Sequence, residues 1–163
     1  MSERAYIGLG SNLDNPVMQI TRAVEWIREF EAVDVQAVSS LYRTKAVTWD
    51  PLESQPDYIN AVVGVDTTLE PMELLALLLA LEIKQGRNRT TDQKWAPRTL
   101  DCDILLFGDR VLSTPELTIP HPHMYQRNFV LVPLHEIAPN CVGPDALEQI
   151  NLQEISPCPS LTH

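Results

Sequence analysis

Tyr58-Ile59-Asn60-Ala61-Val62-Val63-Gly64-Val65-Asp66-Thr67, followed after three residues by Pro71, is the stretch that decides the fold. Its β-branched and aromatic residues predict a strand. Pro71 suits the first position of a helix, which the sequence carries to about Gln85 with Gly86 as its stop. Towards the C-terminus, Arg87 to Thr99 reads as a polar loop and Asp101 to Phe107 as another strand. Towards the N-terminus, Arg43 to Asp57 holds Pro51 and Pro56 among polar residues and predicts a long loop. Loops of that length are more often functional than idle. Before it, Val33 to Tyr42 reads as one strand. Pro16 opens an earlier helix behind Asn15 as its cap, with Ile20, Ala23, Val24 and Ile27 at helical spacing. Gly10-Ser11-Asn12 reads as a turn, and Ala5 to Leu9 as a short buried strand.

The order is therefore strand, helix, strand, strand, helix, strand, the ferredoxin-like pattern. The expected class is α+β, an antiparallel sheet with helices packed on it. Pro120 to Pro139 should add short helical pieces against that body. The chain shows no internal repeat or low-complexity tract, and its 163 residues suffice for one closed core, so a single domain over 1–163 is expected. No basic stretch with an apolar run opens the sequence, which argues against a secretory signal. The most apolar window, Leu74 to Ile83, is too short to span a bilayer and carries Glu82. Three cysteines without Cys-x-x-Cys spacing (Cys102, Cys141 and Cys158) favour reduced thiols and a cytoplasmic address. No dimer seam is evident, and a monomer is expected.

A net charge of −10 argues against a general nucleic-acid binder. The cations are unevenly spread. Lys84, Arg87, Arg89, Lys94 and Arg98 are five of the twelve basic residues and fall within one short stretch. That clustering fits either a small-anion site or a solvated loop that happens to be basic.

Asp101 and Asp103 alternate with Cys102 on a predicted strand, so both carboxylates share one face, roughly 6 to 7 Å apart along the backbone. Such a pair can hold Mg²⁺, which takes one or two carboxylates together with substrate phosphates. It also describes a plain solvent-facing strand edge. The neighbouring arginines favour the first reading, because metal-bridged phosphates need cationic contacts for their other oxygens. Tyr58 and Asn60 likewise share a face, an aromatic surface beside an amide, suited to a flat nitrogen-rich heterocycle or to an ordinary strand. Phe129 could cover the other side of such a ring or sit in the core. Trp95, in a polar loop, reads equally as a lid over ligand or a fixed anchor. Pro120-His121-Pro122-His123 suits His121 as a donor to phosphate better than it suits zinc, since no cysteine or third histidine lies nearby in sequence. Gly8-Leu9-Gly10 fails as a dinucleotide fingerprint because Leu13 stands where the third glycine belongs.

Taken together, these motifs are recognisable. Lys94 to Leu105, running Lys-Trp-Ala-Pro-Arg-Thr-Leu-Asp-Cys-Asp-Ile-Leu, resembles the signature of the 6-hydroxymethyl-7,8-dihydropterin pyrophosphokinase family. The resemblance extends through Gly10-Ser11-Asn12-Leu13, Ser39 to Thr44, Gln55 to Ala61, Glu82 to Arg87, and Pro120-His121. It implies a ferredoxin-like enzyme that moves pyrophosphate from ATP to a reduced pterin. By the same resemblance, Asp101 and Asp103 hold two Mg²⁺ ions, and Arg87 and Arg98 support the transfer. Arg89, Lys94, His121 and Arg127 line the triphosphate. Tyr58, Asn60 and Phe129 hold the pterin with groups near Thr44 and Val47, and Trp95 closes over it. The chain departs from the family pattern at Cys102, where an aliphatic residue is usual, and at Lys45-Ala46-Val47, which replaces a proline-rich run. Two rival classes share the topology: a non-catalytic module binding a small regulator, and an RNA-binding sheet. Neither accounts for paired aspartates beside arginines.

Overall fold

The computed structural model describes residues 2–12, 15–44, 57–86, 100–126, 128–143 and 156–157. Its centre is the strand read first, β4 (Tyr58–Thr67), nearly all of it buried. On one side β4 pairs antiparallel with β1 (Glu3–Ser11), and β1 pairs antiparallel with β5 (Asp101–Phe107) at the sheet edge. On the other side lie β2 (Val33–Val38) and β3 (Tyr42–Thr44), and β3 is joined by β8 (Ser156–Pro157). The crossings β1–α1–β2 and β4–α2–β5 thus interleave as the ferredoxin-like pattern requires.

The strands alternate faces, and each face has its own core. Ala5, Ile7, Leu9, Ala61, Val63 and Val65 meet α1 (Pro16–Glu29) and α2 (Pro71–Lys84) through Ile20, Ala23, Ile27, Leu74, Leu78 and Leu81. Val62 and Leu105 point the other way, against Leu131 and Leu134 of α3 (Asn128–Ile137). Helix α2 starts as read, with Pro71 in its first turn and a reciprocal Glu70–Glu73 capping box, and Gly86 follows its end at φ 106°. None of the described helices is long and apolar enough to cross a membrane.

Three local expectations need correction, at Val33 to Tyr42, at Asn15 and at Gly10-Ser11. The run Val33 to Tyr42 is two strands rather than one, because β2 pairs with the far half of β4 and β3 with the near half. Between them Ser39 is buried; its Oγ accepts the Val62 N–H at 2.9 Å and its own N–H donates to the Val62 carbonyl at 2.9 Å. Asn15 is the α1 cap in position only: it sits at φ 61° and makes no side-chain cap bond. Gly10 and Ser11 belong to β1 rather than to a turn. The segment after Pro120 is one ten-residue helix, with Pro133 inside it, flanked by 3₁₀ turns at Met124–Gln126 and Pro139–Cys141. A small hairpin, β6 (Leu112–Ser113) with β7 (Thr118–Ile119), had no sequence expectation at all.

Candidate active site

The register of the three inner strands builds the site. Gly10 pairs with Asn60 on β4 and with Asp101 on β5, while Gly8 pairs with Val62 and Asp103. Two rows therefore cross the sheet, Asn60–Gly10–Asp101 and Val62–Gly8–Asp103, with neighbouring strands about 5 Å apart. Neither glycine carries a side chain, so a trough runs between the amide and the carboxylates. Alternate glycines in a strand often mark a close approach of a ligand or another backbone. That signal was present in the sequence and went unused, since Gly8 and Gly10 were weighed only as a fingerprint and a turn. The trough opens into a cavity of about 930 Å³ lined by Gly8, Gly10, Thr44, Tyr58, Asn60, Asp101, Asp103, His121 and Phe129.

At the β4 end of the trough, Asn60 is only 5% exposed and its Nδ2 donates to Thr44 Oγ1 at 3.0 Å. This bond orients the amide. Its Oδ1 then lies over Gly10, since a methyl group there would sit 3.1 Å from it. Asn60 presents an acceptor towards the trough and keeps a second N–H. Tyr58 and Phe129 line the same cavity from β4 and α3. The Thr44 side chain, which orients Asn60, had no assigned role in the sequence reading.

At the carboxylate end, Asp101 and Asp103 face the trough while Cys102 turns into the core with Leu9 and Ile104. The outward N–H of Cys102 is accepted by Glu82 Oε2 at 2.8 Å, and Glu82 is 1% exposed. A buried carboxylate on α2 thus fastens the edge strand midway between the two aspartates. His121 is tethered to the same strand by donating its N–H to the Leu105 carbonyl at 3.0 Å. Its Nδ1 accepts the His123 N–H at 3.2 Å, so the neutral ring carries its proton on Nε2, the nitrogen 3.9 Å from Asp103 Oδ1. Among the described residues no group of three or more His, Cys, Asp or Glu side chains gathers as a closed metal cage. Two carboxylates on an open trough suit a hard divalent cation that completes its shell with phosphate and water.

Past β5 the cavity continues as an apolar lobe between Met72, Leu75, Ala76 and Leu79 of α2 and the Pro115 to Thr118 turn. The whole space therefore offers an apolar slot, a carboxylate centre and an amide pocket in line. On the same sheet face α3 packs over Val62 and Leu105.

Residues 6–139 match the family 7,8-dihydro-6-hydroxymethylpterin-pyrophosphokinase (HPPK). The chain belongs to this family. It is 46% identical over 147 residues to the 2-amino-4-hydroxy-6-hydroxymethyldihydropteridine pyrophosphokinase of Pseudomonas aeruginosa, covering 89% of this chain and 86% of the relative. The protein of the same name from Haemophilus influenzae is 44% identical over 144 residues, 87% of this chain and 86% of its own. Among solved structures, that of Plasmodium falciparum HPPK-DHPS wild type with Pteroate aligns at TM-score 0.62 and 15% identity. It shares the fold over 83% of this chain, which spans 39% of that longer one.

Six of the residues expected in an HPPK site, Thr44, Tyr58, Asn60, Asp101, Asp103 and His121, line one cavity, and Phe129 closes it from α3. Arg87, Arg89, Lys94, Trp95, Arg98, Arg127 and Val47 lie outside the described residues.

Proposed function

We propose that the trough aligns the two substrates of the HPPK reaction, with the triphosphate over Asp101 and Asp103 and the pterin between Asn60, Tyr58 and Phe129. The chain is an ATP-dependent pyrophosphokinase of folate biosynthesis. It transfers pyrophosphate from ATP to the hydroxymethyl group of 6-hydroxymethyl-7,8-dihydropterin and releases AMP. The observation that supports the assignment of ends is the Asn60–Gly10–Asp101 row, in which a buried amide and a carboxylate stand two strand spacings apart. The apolar lobe along α2 then takes the adenine, the flat apolar part of ATP.

Two Mg²⁺ ions held by Asp101 and Asp103 would supply charge neutralisation and alignment of the phosphates. His121 donates from Nε2 to a phosphate oxygen on the same side. Asn60 orients the pterin through its acceptor and spare N–H, leaving the hydroxymethyl group directed along the trough towards Asp101. The hydroxymethyl oxygen bonds to the β-phosphorus and its proton passes to solvent, the bond from that phosphorus to the oxygen bridging the α-phosphorus breaks, and AMP leaves with that electron pair. Such transfers depend on positioning and electrostatics more than on early proton removal. The motif resemblance supports Arg87 and Arg98 as cations for the transfer, and Arg89, Lys94 and Arg127 as triphosphate contacts. It supports Val47 as a pterin contact and Trp95 as a closing residue. We further assign the enzyme as a single-domain cytoplasmic monomer, supported by an odd number of cysteines without Cys-x-x-Cys spacing and checked by mass in solution.

The test is AMP release from ATP with pterin and Mg²⁺ each added or withheld. Release that requires both is expected, and release indifferent to pterin would overturn the reading. A smaller effect follows from the glycine floor. Gly10→Ala should raise the pterin KM about three- to tenfold with the ATP KM unchanged, because its methyl group displaces the Asn60 amide. Steady-state kinetics with each substrate varied would show it.

A further inference from the structure

Glu136 stands seven residues after Phe129 on α3, close to two full turns, so both side chains lie on one stripe of the helix about 10 Å apart. Its two carboxylate oxygens accept the Ser40 N–H at 3.0 and 3.1 Å, the Ser40 hydroxyl at 2.9 Å and the Tyr42 hydroxyl at 2.6 Å. Ser40 lies in the link between β2 and β3, and Tyr42 opens β3. Tyr42 pairs with Asn60 on β4, and two residues further Thr44 accepts the Asn60 amide. One carboxylate at the far end of α3 is thus tied to the strand that forms the wall of the heterocycle pocket.

Among the described residues α3 also packs through apolar contacts, with Val130, Leu131 and Leu134 on Val62 and Leu105. Apolar packing is non-directional and leaves a helix free to roll or slide slightly. A carboxylate shared among three donors is directional, and bonds to an ionised acceptor are the stronger kind. Burial, and next the bond to Glu136, hold the Tyr42 hydroxyl well above the usual tyrosine range, so it stays a donor.

We propose that Glu136 is a positioning residue for the pterin pocket, setting the roll of α3 and with it the approach of Phe129 to the Asn60–Thr44 wall. The inference rests on the reading of that pocket as the pterin site. Glu136 is itself exposed, so removing it opens no cavity in the core.

The experiment compares wild type, Glu136→Ala, Glu136→Gln, Tyr42→Phe and the Glu136→Ala/Tyr42→Phe double variant by AMP release, varying pterin and ATP separately. Glu136→Ala should raise the pterin KM about tenfold while the ATP KM and kcat stay within about twofold. Glu136→Gln keeps one acceptor oxygen and should recover part of the loss, with Tyr42→Phe milder still. The double variant should be no worse than Glu136→Ala, because the Tyr42 contact is already gone. An unchanged pterin KM in Glu136→Ala would overturn the proposal. So would pterin and ATP constants rising in parallel, the mark of general loosening. Failure of the pterin reading would appear separately, as wild-type AMP release indifferent to pterin.

Discussion

Replacing Asp101 or Asp103 by alanine lowers turnover at least about a thousandfold, while the variant stays folded. Both carboxylates face the trough, and Asp103 is 41% exposed, so neither substitution empties a packed core site. Cys102 between them keeps its core contacts, and its N–H keeps the Glu82 carboxylate. The strand therefore survives and only the proposed metal ligand is lost. A Mg²⁺ ligand is worth several kcal/mol of transition-state stabilisation, and about 4 kcal/mol corresponds to a thousandfold in rate. AMP release gives the rate and circular dichroism melting reports the fold. A variant melting near wild type and turning over within about tenfold of it would remove these residues from the metal site.

Asn60→Ala weakens pterin binding about 10- to 100-fold and leaves ATP binding unchanged. Asn60 is buried, its Nδ2 is committed to Thr44, and its Oδ1 lies over Gly10 at the heterocycle end. Losing a buried partner costs about 1 to 3 kcal/mol, which sets the range. Because Thr44 Oγ1 loses its donor as well, some of the cost will appear as stability. Thr44→Val separates the two effects: it removes the orienting bond but leaves the Asn60 amide, and should weaken pterin binding less than Asn60→Ala. Calorimetric titration of each variant with pterin and with a non-hydrolysable ATP analogue measures both arms. Equal damage to ATP and pterin affinity would contradict the placement of Asn60 at the pterin end.

What could be read early was local. Side chains two apart on a strand share a face whatever the strand pairs with, so the pairs Asp101 with Asp103 and Tyr58 with Asn60 were legible before any fold was known. Pro71 and Gly86 bounded α2 for equally local reasons, the preset φ of one and the left-handed freedom of the other. Where local chemistry allowed two answers, the reading failed. Val33 to Tyr42 has strand-forming residues towards both ends, yet it breaks at Ser39 because β4 pairs with its two halves separately. The short helical pieces expected after Pro120 are present, and the longest, α3, continues through Pro133 with Leu131 and Leu134 buried against Val62 and Leu105.

The sequence by itself determined the order of elements, the faces of the strands and, through the Lys94 to Leu105 signature, the family. Only the tertiary structure decided that Gly10 stands between Asn60 and Asp101, that the buried Glu82 holds the Cys102 N–H of β5, and that Glu136 reaches Ser40 and Tyr42. Periodicity acts between neighbours in the chain, whereas register and burial depend on partners 20 to 96 residues away, such as Glu82 with Cys102 and Glu136 with Ser40. A one-residue shift in either pairing of β1 would turn the glycine trough to the other face. That choice is made by the two apolar cores closing on opposite sides of the sheet, and no local stretch of the chain contains it.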